Sequence, residues 1–276
     1  MSRAVGCVLV AAGSGTRLGA SGPKAFVEVA GSSLVAHACR RLLAARAPDG
    51  SPLLSSLVVV VPSGHGSDVA ALLERERPGG HPATLSVVDG GANRQASVAR
   101  GLARLDDAIQ VVLVHDAARA LAPSVLVEQV AAAVSGDVVA VVPGLAVVDT
   151  VKRVGPVKRV GPVKRVGPVK RVGPVERVGP EGRAGPAGLR VVEETLPREQ
   201  LVSVQTPQGF DAAVLREVHG ATPADEGPGA GDDAGMVEAA GRAVHVVPGH
   251  PHALKITVPQ DLLLAEVLGA VSLDLL

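Results

Sequence analysis

Short β-branched apolar runs alternate with longer amphipathic segments through the first 150 residues. The runs fall at 5–11, 57–61, 84–88, 111–114 and 138–142. Between them, segments 34–45, 67–77 and 93–105 repeat their apolar residues at helical spacing. Strands alternating with helices predict an α/β fold built on a mainly parallel sheet covered on both faces. Ligands of such sheets lie beyond the carboxyl ends of the strands. The loops after the first, third and fourth runs are therefore expected to meet in one crevice.

The first of these loops carries the most specific chemistry. Residues 9–26 read LVAAGSGTRLGASGPKAF. The glycines do not follow the dinucleotide spacing G-x-G-x-x-G, since Leu18 stands where the third glycine belongs. Nor is this a P-loop, because Lys24 follows Pro23 and precedes Ala25. What remains is a nest of backbone N–H groups around Ser14 to Thr16, suited to an anion. Arg17 adds a planar fork for phosphate oxygens and Lys24 a point charge. The plainer alternative is a strand-loop-helix with scattered surface charges.

Composition narrows the function classes. The 276 residues include two Phe and no Trp or Tyr, which nearly excludes aromatic stacking on nucleic-acid bases. Cys7 and Cys39, without a C-x-x-C pair, indicate neither a disulfide framework nor a zinc site and are expected to be core thiols. No apolar stretch is long enough to span a bilayer, so a cytoplasmic protein without membrane or nucleic-acid partners is expected.

The zero net charge conceals a segregation. Six hexads of VKRVGP type run from 151 to 186, the first four identical. They hold ten of the 27 basic and two of the 27 acidic residues, leaving 17 and 25 for the rest of the chain. Proline at every sixth position forbids a long helix or a continuous ladder, and valine at every third matches polyproline II better than a pleated strand. Fully extended in that form, the segment reaches roughly 100 Å at about 3.1 Å per residue. It is either a basic tether for a polyanion or a tandem duplication at a tolerant loop tip.

Further motifs follow in order: GGANRQASVARGL at 90–102, VHDAARAL at 114–121, VVDTVKRV at 147–154, ETLPREQLVSVQTPQGF at 194–210, GDDAGMVEAAG at 231–241 and HALKITVPQDLLLAE at 252–266. Each has a bland reading alone: Asp116 as a helix cap, Arg94 in a surface ion pair, Lys255 simply solvated. His115 reads as a hydrogen-bonded structural histidine in preference to a base. Together they put Arg17, Lys24, Ser97, Asp116, Arg119 and Lys255 at strand ends or loops around one crevice.

The ordered set AAGSGTRLG, GPKAF, HDAAR, QTPQ.F, DDA and LKIT..QDL resembles the 2-C-methyl-D-erythritol 4-phosphate cytidylyltransferase family over nearly the whole chain except the repeats. The resemblance implies a Rossmann-like nucleotidyltransferase fold, one domain over 1–276, with a protruding β-arm at 147–206 that carries the repeat and joins a homodimer. It implies that Ala11, Ala12, Gly13, Ser14, Gly15, Gly91, Arg94, Ser97, Asp116 and Ala117 hold CTP. Arg17 and Lys24 would stabilise the transition state. Asp116, Arg119, Thr150, Arg198, Thr206 and Lys255 would hold methylerythritol phosphate, Thr150 and Arg198 reaching across the dimer. Arg198 and Lys255 would also count as catalytic, and Asp116 and Asp232 would adjoin Mg2+ carried mostly by the CTP phosphates. The chain departs from the pattern at Ala92, Ala120, Gly231 and Ala253, where the family favours an acidic residue, Pro, Thr and Asn.

The chemistry agrees. A phosphate monoester, with a second pKa of about 6, is already a nucleophile at neutral pH, so no general base is required. Cations are required, because an anion must attack within a polyanion. Two alternatives stand beside this reading. One is a cytidylyltransferase acting on ribitol 5-phosphate, which would differ only in the acceptor pocket. The other is a non-catalytic nucleotide-binding protein tethered to a polyanion by its repeat.

Overall fold

The computed structural model describes residues 3–13, 15, 18, 22–155, 190–221 and 231–272. The hexads from residue 156 onward, with Ser14 and Arg17, lie outside the described residues. The chain divides into two compact units, Met1–Leu145 with Ser203–Leu276, and Ala146–Val202.

The larger unit is built on one sheet. Its parallel block consists of β1 (Val5–Val10), β4 (Leu54–Val61), β5 (Thr84–Asp89) and β6 (Val111–Asp116). A two-strand ribbon, β2 (Glu28–Val29) and β3 (Ser32–Ser33), lies apart from it. β7 (Ala140–Ala146), β10 (Val202–Val204), β11 (Gln208–Asp211) and β12 (His245–Pro248) complete the sheet. The order is β10-β7-β11-β6-β1-β4-β5, with β12 also on β7. β11 runs antiparallel to both β6 and β7.

The apolar runs are strands because both faces of each are covered. Cys7 and Leu9 of β1, Leu57 and Val59 of β4 and Leu113 of β6 enter one core; Val8, Val58, Val60, Val112 and Val114 enter the other. That is strand periodicity written in apolar residues alone. The first core is closed by α1 (Leu34–Ala44), α2 (Gly66–Glu76) and α4 (Ser124–Ala133). The second is closed by α3 (Arg94–Leu102), α5 (Ala212–Ala221) and α6 (Asp233–Ala239). Phe210 of β11 is fully buried in the second core, where such a side chain contributes about 1.5–3 kcal/mol. A last helix, α7 (Pro259–Ser272), follows β12, and no helix among the described residues is long and apolar enough to cross a membrane. Both cysteines are free and buried, as expected, and burial pushes both thiols well above their usual range.

In the smaller unit, β8 (Val151–Gly155) pairs antiparallel with β9 (Val191–Leu196). The first hexad therefore departs from the polyproline expectation. Its proline, Pro156, comes only after five residues whose backbone finds a partner in β9, so a short ladder closes before the break. A register shift at Arg153/Val154 marks a local irregularity.

Candidate active site

Moving outward from β1, the chain winds one way through β4 and β5 and the other way to β6. The carboxyl ends around this reversal enclose a crevice of about 480 Å³. Ala11, Ala12, Gly13, Gly15, Lys24, Gly91, Arg94, Ser97, Asp116, Ala117 and Lys255 all line it, whereas Arg119 does not. Asn93 and Thr257 line it too.

Backbone geometry sets the walls. Gly15 has φ +70°, and a Cβ there would lie 2.7 Å from Cβ of Lys24, so only glycine lets the loop fold over the lysine. Across the crevice, a Cβ on Gly91 would collide with Ala96 at the start of α3. The Gly91 N–H instead donates to Ser97 Oγ at 3.1 Å, and Asn93 caps α3 by accepting from the Ala96 N–H at 2.8 Å. Ser97 thus shapes the wall.

Electrostatics converge on Asp116 at the end of β6. Its Oδ1 accepts from Arg94 Nε at 3.3 Å and its Oδ2 from Lys255 Nζ at 2.7 Å. Burial alone would raise this carboxyl, but Arg94 and Lys255 hold it well below the usual carboxylate range. Arg94 opens α3, where a cation opposes the helix dipole. It stays because Nη1 also donates to Asp233 Oδ2 at 2.6 Å, and Asp233 Oδ1 faces His219 Nε2 at 3.0 Å. Burial by itself lowers the Arg94 pKa, yet Asp233 and Asp116 raise it above the ordinary guanidinium value. Ile256 ties its N–H to the Ala118 carbonyl at 2.9 Å, bringing Lys255 to the end of β6.

The other expected residues lie elsewhere. Thr206 stands behind Asp116: its Oγ accepts from the Asp116 N–H at 3.1 Å and meets His115 Nδ1 at 2.9 Å. His115 is structural as expected, its pKa lowered to about 4 by burial, so it stays neutral. Arg119 donates to the carbonyls of Ala253 (2.7 Å) and Val204 (3.1 Å), so the side chain missing at Ala253 is not what Arg119 uses. Asp232 caps α6 through the Gly235 N–H at 2.9 Å and accepts from Gln208 Nε2 at 2.8 Å. Thr150 and Arg198 belong to the smaller unit, where Arg198 Nη1 donates to the Val148 carbonyl at 2.6 Å.

For a divalent cation these carboxylates make a poor nest. Both oxygens of Asp116, Asp232 and Asp233 already accept hydrogen bonds, and no group of three or more metal-ligating side chains occurs among the described residues. Among the described residues nothing is arranged to hold magnesium by protein groups alone.

Sequence reasoning missed Asp233 and His219, the two groups that anchor Arg94. The second acid of DDA was visible, but nothing in EVHGA marks His219 as its partner 14 residues away.

Within the described wall nothing is placed to activate a nucleophile, while Lys24, Arg94 and Lys255 all screen negative charge. Such a cation-lined crevice at a switch point suits an anionic ligand. Comparison with known proteins gives the particular family. The model of IspD, 2-C-methyl-D-erythritol 4-phosphate cytidylyltransferase, matches residues 5–166 and 183–269. The Saccharopolyspora erythraea protein of that name is 40% identical over 263 residues, 94% of this chain and 96% of its own. A bifunctional IspD/IspF enzyme of Clavibacter michiganensis is 40% identical over 266 residues; the match covers 96% of this chain and 54% of that protein. The crystal structure of the Thermus thermophilus cytidylyltransferase is 33% identical with a TM-score of 0.63, covering 98% of this chain and 100% of that one. The chain belongs to the 2-C-methyl-D-erythritol 4-phosphate cytidylyltransferase family.

Proposed function

We propose that this protein transfers the cytidylyl group of CTP to 2-C-methyl-D-erythritol 4-phosphate, in the non-mevalonate route to isoprenoids. An oxygen of the acceptor phosphate attacks the α-phosphorus of CTP. The new P–O bond forms as the α–β anhydride bond breaks, and pyrophosphate leaves with the electron pair. The products are 4-diphosphocytidyl-2-C-methyl-D-erythritol and pyrophosphate.

The observation that carries this reading is the convergence, in a member of this family, of Gly13, Gly15, Lys24, Arg94, Asp116 and Lys255 on one crevice. Lys24, with Arg17 from the same loop, neutralises charge building on the phosphorus oxygens. Backbone N–H groups of the glycine loop cradle the triphosphate, and Gly91, Arg94 and Ser97 flank the cytidine. Lys255 steers the acceptor phosphate, while Thr206 acts from behind by holding the backbone of Asp116. Magnesium, in this reading, arrives on the CTP phosphates. Two copies pair through the β8–β9 arm, so that Thr150 and Arg198 of each complete the acceptor site of the other. Two buried free thiols accord with a reducing cytoplasm.

The test is pyrophosphate release from CTP and magnesium with methylerythritol phosphate or ribitol 5-phosphate as parallel acceptors. Turnover with the first alone supports the reading. Turnover with the second alone keeps the chemistry and overturns the acceptor. Turnover with neither overturns the enzyme assignment.

A further inference from the structure

The charges beneath the crevice form a linear chain, Lys255–Asp116–Arg94–Asp233–His219. Its second carboxylate, Asp233, is not among the crevice-lining residues, and its side chain is 1% exposed. A carboxylate so fully removed from water is costly unless its partners compensate. Both oxygens of Asp233 are committed, one to Arg94 and one to His219.

The effect on Arg94 is geometric. A guanidinium held by Asp116 alone, at 3.3 Å through Nε, could swing about that contact. Held also through Nη1 at 2.6 Å, its plane is fixed between two carboxylates. Nη2 is then left buried with no partner among the described residues, in a side chain that lines the crevice.

Asp233 also governs the sharing of Asp116. Without it, Arg94 has only Asp116 to neutralise it and competes there with Lys255. With it, two cations face two carboxylates, and Lys255 keeps its own oxygen.

We propose that Asp233, braced by His219, is a positioning residue for nucleotide binding: it fixes the guanidinium of Arg94 in the crevice wall against which CTP binds. This rests on the reading of the crevice as the CTP site. His219 supplies the brace from the last turn of α5, with its Nε2 on Asp233 and its Nδ1 unpartnered among the described residues.

The experiment is calorimetric titration of full-length protein with CTP, alongside steady-state kinetics. Asp233→Asn keeps the shape and removes the charge. His219→Leu removes the brace, and His219→Gln returns an N–H donor without an imidazole. Expected is a roughly 10- to 100-fold weaker CTP Kd in Asp233→Asn and a smaller loss in His219→Leu, largely restored in His219→Gln. The KM for methylerythritol phosphate should rise by a smaller factor than the CTP Kd, since Lys255 is reached only through Asp116. In an Arg94→Ala background, Asp233→Asn should weaken CTP no further, since the anchor then has nothing to hold. Binding is read well below each variant's unfolding temperature. If His219→Leu and Asp233→Asn bind CTP as the parent does, the positioning role is overturned. Equal losses for both substrates, or additive losses in the Arg94→Ala background, overturn it as well, in favour of a purely structural role. Failure of the parent itself to bind CTP would instead overturn the functional reading on which this one stands.

Discussion

Two arginine–carboxylate pairs in this chain have similar geometry and opposite meaning. Arg94–Asp233 beneath the crevice is 2.6 Å long, and its carboxylate side chain is 1% exposed. Arg153–Glu194 across the β8–β9 ribbon is 3.0 Å long, with side chains 59% and 53% exposed. The carboxylate of the first pair cannot be solvated if the pair opens; both groups of the second are solvated already. Distance alone therefore says little about what an ion pair contributes, because the solvent on offer when it opens decides the cost. The crevice uses its pairs to hold charge at fixed points, whereas the ribbon uses its pair to stay soluble along an edge bearing the half-exposed Val191 and Val192.

That contrast can be broken most forcefully at Asp233. Asp233→Ala leaves Arg94 and His219 facing an empty site, and urea unfolding should show a loss of about 3–5 kcal/mol. A loss below about 1 kcal/mol would mean that water reaches this pair after all. Next comes Lys24→Ala, which should lower kcat by roughly two to three orders of magnitude while leaving the urea midpoint nearly unchanged. Removal of Asp233 would then be read chiefly in stability and removal of Lys24 chiefly in rate.

Acid should separate the regions further. Asp116 and Asp233 titrate below their unfolded values, near 3.9, so their stabilisation is present above about pH 4 and is lost as pH falls through their folded values. His115 acts earlier. Its pKa falls from 6.5 to about 4 on folding, so the unfolded chain takes up a proton first and stability declines between those two values. Urea midpoints measured from pH 7.5 to 3 should therefore descend in two phases, and His115→Gln should shrink the first, which His37, His81 and His250, also lowered by burial, share. The smallest effect belongs to Arg153→Ala, which should change stability by no more than ~0.5 kcal/mol, read from the same urea curves.

Much of this was legible in the chain. The parallel block was, because strands buried on both faces must be apolar without interruption. The meeting of Gly13, Gly15, Lys24 and Asp116 at one crevice was, because loops that follow parallel strands gather beyond their carboxyl ends. Other features were hidden for definite reasons. The start of β4 was disguised by Ser55 and Ser56, yet Ser55 Oγ donates to the Val5 carbonyl at 3.0 Å and so belongs to the sheet. β11, four residues reading QGFD, has no period to detect and is a strand only because β6 and β7 flank it. The Asp233–Arg94 pair spans 139 residues, and a local pattern cannot announce a partner at that range.

The antiparallel β11 also imposes a schedule on synthesis. β6 ends at Asp116, and the strand that covers its outer edge begins at Gln208, 92 residues later. At about 5–20 residues per second, a ribosome leaves Val112 to Val114 without that neighbour for roughly 5–20 s, an interval in which an open strand edge invites pairing with another chain. The 36 residues of the hexad tract fall inside that interval. Whatever room they occupy in the finished protein, they lengthen the wait of the unfinished one by roughly 2–7 s at the same pace.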